Sequence, residues 1–236
     1  MNISLKSAVA AILLASAFGV SSQAQASVMI DSFGDAAGIG TTVVDTTVTA
    51  GSSSNGTGED LTNTELSVAN RILQVESIGV NGSANIISND NGLTGLTDYL
   101  EINNSITSNG VASVFYTFDN EDFTTFGNAL ILDVLATDQN NEVEMVINGN
   151  LSTSGFQAFA GPGQFYALFS SFSDPGEFTA VTSITLNFRG GVAGWAGGFD
   201  NFRIDTPPQN TPEPATIALM GLGLAGFAAA RKKKQA

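Results

Sequence analysis

Apolar residues follow two different patterns along this chain. Through the middle they alternate with polar ones at period two, in short runs at 28–33, 42–49, 71–80, 111–118, 128–135, 142–148, 164–170, 181–189 and 199–205. Alternation of that length predicts half-buried β-strands, and there is almost no window with the 3.6-residue period of a helix. Turn-forming pairs separate the runs: Asn55-Gly56, Asn81-Gly82, Asn91-Gly92, Asn109-Gly110, Asn148-Gly149, Pro162-Gly163 and Pro175-Gly176. Such pairs supply the positive φ or fixed φ that tight connections need. The body is therefore expected to be all-β, an antiparallel sandwich or barrel. Near the two ends the apolar residues run unbroken, at 8–20 and 215–230. Each run is expected to be helical in an apolar environment.

The flanks of those two runs give them a purpose. Lys6 precedes the first, and Ala24-Gln25-Ala26 follows it with the small-x-small spacing of a cleavage site. Residues 1–26 therefore read as a secretory signal peptide, cut after Ala26. The second run follows Pro212-Glu213-Pro214 and precedes Arg231, Lys232, Lys233 and Lys234. Proline cannot continue a helix, so the motif stays extended just outside it. The cations hold the far end on the cytoplasmic side. At ~1.5 Å per residue the run reaches about 24 Å, short of a hydrocarbon core of roughly 30 Å, which suits a temporary stop better than a permanent anchor. Motif, short span and basic stop, in this order, resemble the PEP-CTERM sorting tail of Gram-negative bacteria. That resemblance implies recognition around Pro212, Glu213 and Pro214 by an exosortase-type membrane enzyme. It also implies a transient stay in the inner membrane, delivery to the cell surface or extracellular space, and association with exopolysaccharide or biofilm matrix. The expected organisation is signal peptide 1–26, sandwich domain 27–206, linker 207–214, then membrane helix and basic tail 215–236. Gly221-Leu222-Gly223-Leu224-Ala225-Gly226 matches a dinucleotide fingerprint in spacing alone, since it lies within the apolar tail without the required βαβ setting.

Composition narrows the chemistry further. The chain contains no cysteine and no histidine. Thiolate and imidazole metal sites, and nucleophiles that depend on histidine, are therefore excluded. Lysine is absent between residues 7 and 231, and the cations of the body are Arg71, Arg189 and Arg203. Against these three stand 22 carboxylates, counting Glu213 of the linker, a balance near −19. A surface so anionic repels nucleic acid and anionic lipid; it admits cations, neutral polymers or basic surfaces.

The closing strands carry a second resemblance. Phe169-Ser170-Ser171-Phe172, then Val181 to Leu186, then Gly198-Phe199-Asp200-Asn201-Phe202 resemble the last strands of extracellular jelly rolls of the carbohydrate-binding-module type. In that arrangement the last strand returns beside the first, here Ile30-Asp31-Ser32-Phe33. The resemblance implies a jelly-roll β-sandwich with a saccharide as the favoured ligand, and Asp31, Asp200 and Asn201 as candidate ligands for a structural calcium. Calcium takes six to eight oxygens from such side chains and carbonyls. Trp195, the lone tryptophan, lies in a glycine-rich stretch. It is read first as a cap on the core and second as a saccharide contact. The acidic cluster Asp119-Asn120-Glu121-Asp122 is expected to be a solvated turn, and Glu142 and Glu144 the solvent side of a strand. No carboxylate pair stands out as catalytic. The expected function is thus a non-catalytic structural or carbohydrate-binding surface protein. The alternatives are an extracellular polysaccharide hydrolase or lyase and, through threonines such as Thr41, Thr42, Thr46, Thr47 and Thr49, an ice-binding protein.

Overall fold

A computed structural model describes residues 27–34, 42–45, 53–56, 58–61, 64–66, 69–78, 82–89, 98–138 and 140–208. Ala24 and Ala26, the Pro212-Glu213-Pro214 motif, the apolar tail and the basic residues Arg231, Lys232, Lys233 and Lys234 lie outside the described residues.

Fifteen strands run through the described residues: β1 (Val28–Asp31), β2 (Thr42–Asp45), β3 (Ser53–Asn55), β4 (Glu59–Asp60), β5 (Ala69–Glu76), β6 (Ala84–Asn89), β7 (Tyr99–Asn104), β8 (Val111–Glu121), β9 (Ala129–Thr137), β10 (Glu142–Ile147), β11 (Ser152–Thr153), β12 (Gln157–Ala158), β13 (Gly163–Leu168), β14 (Val181–Arg189) and β15 (Ala196–Asp205). They form two antiparallel sheets. The first has the order β13-β9-β15-β7-β6-β2, with β1 also on β15. The second has the order β11-β10-β14-β8-β5-β3, with β12 on β10 and β4 on β5. From β7 onward the chain keeps crossing between the sheets, to β8, back to β9, over to β10, back to β13, over to β14 and back to β15. That alternation is jelly-roll connectivity. The first strand does lie beside the last, with Val28 opposite Ile204 and Asp31 opposite Phe202.

Period-two burial follows the sequence pattern. Along β5 the residues Ala69, Arg71, Leu73 and Val75 are buried and their neighbours are not; along β8 the buried set is Ala112, Val114, Tyr116 and Phe118. The two inner faces meet in a core of aliphatic and aromatic side chains. Phe169 and Phe178 stack with centroids 3.9 Å apart, and Tyr116 stacks on Phe202 at 5.5 Å.

One charged pair lies inside that core. Arg71 donates through Nη1 to both Asp31 oxygens at 3.1 and 3.0 Å and through Nη2 to Ser88 Oγ at 3.0 Å. Tyr116 O–H and the Phe33 N–H also donate to Asp31, at 2.8 and 2.7 Å. Burial pushes the Asp31 carboxyl above its ordinary range, against the pull of Arg71 and of these donors, and pushes the Tyr116 phenol well up. The cluster ties β1, β5, β6 and β8 together through bonds that no solvent contact weakens.

Three local expectations change. Strands β6 and β7 stand where no strand was expected, because ANIISN and YLEINN are rich in asparagine, a residue depleted in strands. Asp119, Asn120 and Glu121 belong to the end of β8, and Asp122 caps a single 3-10 turn at Phe123–Thr125 by accepting from the Thr124 N–H at 3.0 Å. The glycine-rich stretch before Phe199 is partly strand, since β15 begins at Ala196.

Candidate functional site

The outer face of the first sheet carries a groove, created by glycine at the centre of the sheet. In β15, Gly197 lies opposite Ile102 and Gly198 opposite Glu101 of β7; on the other side Gly198 lies opposite Ala136 of β9. A Cβ on Gly197 would come within 2.7 Å of the Phe199 ring, so this residue is glycine because the core is full there. A Cβ on Gly198 would meet nothing closer than Leu135 Cβ at 3.7 Å. The missing side chain at Gly198 therefore leaves an open floor that packing does not demand.

Both walls come from neighbouring strands. Tyr99, Glu101 and Asn103 follow one another at i, i+2 and i+4 along β7, while Leu100 and Ile102 point into the core. Leu135, Ala136, Thr137 and Asp138 form the other wall; Leu135 sits where the β9–β15 register slips by one residue, a bulge that turns it into the groove. The groove has a volume of about 350 Å³. Its polar groups are held in place. Glu101 accepts from Tyr99 O–H at 3.2 Å and from Asn103 Nδ2 at 2.5 Å, and Asp138 accepts from the Ala196 N–H at 2.7 Å. Beside Asn103, on β6, Asn85 keeps a buried Oδ1 with no hydrogen-bond partner.

The start of β15 is pinned from below. Trp195 is fully buried, its indole N–H donates to the Gly110 carbonyl at 2.8 Å, and its own carbonyl accepts from the Asn104 N–H at 3.1 Å. Asn141 Nδ2 donates to the Ala196 carbonyl at 2.6 Å. This corrects the saccharide-contact expectation for Trp195: a ring with no exposed surface cannot stack on a sugar, and its role is to fix the strand that floors the groove.

The expected calcium set is also divided. Asp31 is in the core, saturated by Arg71, Tyr116 and the Phe33 N–H, and its charge is already met by a guanidinium; it is withdrawn from that set. Asp200 and Asn201 lie on β15 where its register with β9 slips, and Asn201 takes φ 47°. Asn201 Nδ2 donates to Asp133 Oδ2 at 3.2 Å, and Arg203 Nη1 donates to Asp133 Oδ1 at 3.0 Å. The Asp200 carboxyl is pushed up to about 6, first by partial burial and then by Asp133 and Asp98, with the Asn201 N–H and Arg203 pulling the other way. Among the described residues no three acidic side chains are grouped so as to hold a metal ion. Glu142 and Glu144 are on the outside of the second sheet, the first paired with Arg189 at 2.6 Å and the second accepting from Thr153 at 2.8 Å.

Residues 210–233 match the PEP-CTERM protein-sorting motif. The chain carries a PEP-CTERM sorting tail. No curated protein matches the sequence. Among solved structures, the family 11 carbohydrate-binding module of a cellulosomal cellulase of Clostridium thermocellum is similar at 14% identity over 80% of this chain and 100% of that one, with a TM-score of 0.39. A family 11 module from Clostridium thermocellum in complex with β-1,3-1,4-mixed-linked tetrasaccharide is similar at 15% identity over 72% and 99%, with a TM-score of 0.33. Similarity of that degree assigns neither a ligand nor a site to this chain.

Proposed function

We propose that this is an exported surface protein whose sandwich binds a neutral, linear saccharide in the groove above Gly198, with the sorting tail directing it through the membrane to the cell surface or extracellular matrix. The observation that carries the binding reading is the open glycine floor between two walls of fixed polar groups. Sugar hydroxyls donate to Glu101 and Asp138 and accept from Asn103 and Thr137, while the C–H faces of the sugar lie against Leu135 and Tyr99. A few positioned polar groups over apolar walls is the usual make-up of a small-molecule site. The carboxylates around the groove favour neutral over anionic polymers. Glu101 and Asp138 act as fixed acceptors for hydroxyls, and the protein binds without cleaving.

Gly198→Val tests this directly. A β-branched residue suits a strand, and its Cβ meets only ordinary van der Waals contact at this position. The melting temperature is expected to hold while binding to an array of neutral glycans falls at least roughly tenfold, the effect of ~1.4 kcal/mol. Binding is expected to be equal in calcium and in EDTA. Unchanged binding by Gly198→Val would remove the groove from consideration. Release of reducing ends by the wild type, lost in Glu101→Gln, would replace the binding reading with a hydrolytic one.

A further inference from the structure

Among the described residues, three of the four lateral edges of the sandwich are blunted in ways that discourage strand pairing, and the fourth is open. On the first sheet, edge strand β2 ends in Asp45. On the second sheet, one edge is split between β3 and the two-residue acidic strand β4, Glu59–Asp60, and the other between the two-residue strands β11 and β12. Short strands and charges are the ordinary protection of a sheet edge. Strand β13 has neither. Its six residues, GQFYAL, carry no charge, pair with β9 on one side, and among the described residues meet no strand on the other.

The chain on either side of β13 is equally uncharged. Residues 145–173 contain no Asp, Glu, Lys or Arg, although the chain as a whole has a net charge of −14. That stretch supplies β11, β12 and β13, and it holds three exposed large apolar side chains, Leu151, Phe156 and Leu168. Beside the start of β13 is a hollow of about 350 Å³ lined by Phe159, Pro162, Phe165 and neighbours.

We infer that β13 is a self-association edge, and that two copies of this chain join through it in antiparallel register to make one continuous sheet. The occupant follows from charge. The acidic faces of this body bring like charges against its copy, whereas two β13 edges meet without any. It follows also from symmetry, because an antiparallel pair of identical strands is self-complementary about a two-fold axis. Side chains must stay on their own face of the sheet, so residues on the outer face pair with outer-face residues. Centring on Tyr166 meets this condition. It sets Gln164 opposite the partner's Leu168 on the outer face.

The test uses the full chain in non-ionic detergent, with sedimentation equilibrium across protein concentration and salt. The wild type is expected to dimerise, more tightly as salt rises, since screening relieves repulsion between the anionic bodies. Leu168→Glu, at an exposed position, is expected to weaken the dimer at least roughly tenfold by adding a charge to each side of the joint. Ile106→Glu, exposed in a distant loop, is expected to leave it intact. Tyr166→Cys would be the sole cysteine in the chain, and oxidation is expected to give a disulfide-linked dimer. A monomer at every concentration, or a dimer equally strong with Leu168→Glu, overturns the inference; the latter would place association in the tail. Either result leaves the groove reading standing.

Discussion

Asp200→Asn is expected to stabilise the protein at neutral pH and to do nothing in acid. Asp200 is half-buried beside Asp133 and Asp98, and its carboxyl is raised from 3.8 to about 6 in the folded chain. The folded state therefore holds this proton more tightly than the unfolded state. Below the unfolded value both states are protonated and Asp200 contributes nothing; as pH climbs from 3.8 to about 6, folded stability falls; above that the full penalty of the ionised group remains. Each unit corresponds to ~1.36 kcal/mol, so a two-unit shift sets a ceiling of roughly 3 kcal/mol, and solvent screening of a half-exposed group reduces it to about 1 kcal/mol. Asparagine keeps the Oδ1 that accepts from the Asn201 N–H at 2.7 Å, so the local turn is preserved. For a domain of this size about 1 kcal/mol is a rise of roughly 2–4 °C in Tm. Thermal melts of wild type and variant between pH 3.5 and 8 measure it. The gain should be absent at the acid end and reach a plateau near pH 7. A gain independent of pH, or a loss at pH 7, would refute the reasoning.

Two further expectations are simpler. Arg71→Met leaves Asp31 as an uncompensated charge in the core, and chemical denaturation should show a loss of about 3–5 kcal/mol. Replacing Pro212, Glu213 and Pro214 by alanine should leave the protein in the inner-membrane fraction; normal arrival at the surface would sink the sorting assignment.

How much of this was legible in the chain differs by element. The period-two pattern identifies β5, β8, β10 and β14 because valine, leucine, isoleucine and phenylalanine take every second place. It even contains the buried cation, since Arg71 shares its alternation with Leu73 and Val75, but the pattern does not say that Asp31 from another strand would meet it. The groove was hidden for a different reason. Tyr99, Glu101 and Asn103 sit on a strand whose asparagines resemble a loop, and Gly198 sits in a run of glycines that reads as one. Glycine in a strand is informative only through what surrounds it. At Gly197 the cause is a full core, at Gly198 an empty face, and only the fold distinguishes the two. Trp195, read first as a cap on the core, is enclosed there in spite of its loop-like context, and only its second reading as a saccharide contact falls.

The disposition of the three arginines explains why the ligand and the partner proposed above are both uncharged where they meet this chain. Arg71 is used inside the core on Asp31, Arg203 on Asp133, and Arg189 on Glu142 while lying 3.6 Å over the Phe156 ring. Each body cation thus has a carboxylate of its own, and none is left to offset the remaining acids. The surface that results keeps an exported chain soluble and apart from anionic polymers and from other copies of itself. A ligand or partner must then approach where that field is weakest or where uncharged groups can meet it. The uncharged edge of β13 and the groove above Gly198, proposed for an uncharged ligand, both answer that field, and they lie on different strands of the same sheet. The proposed saccharide binding and the inferred self-association are therefore compatible, and a dimer would present two grooves on one extended sheet and hold a polymer at two points instead of one.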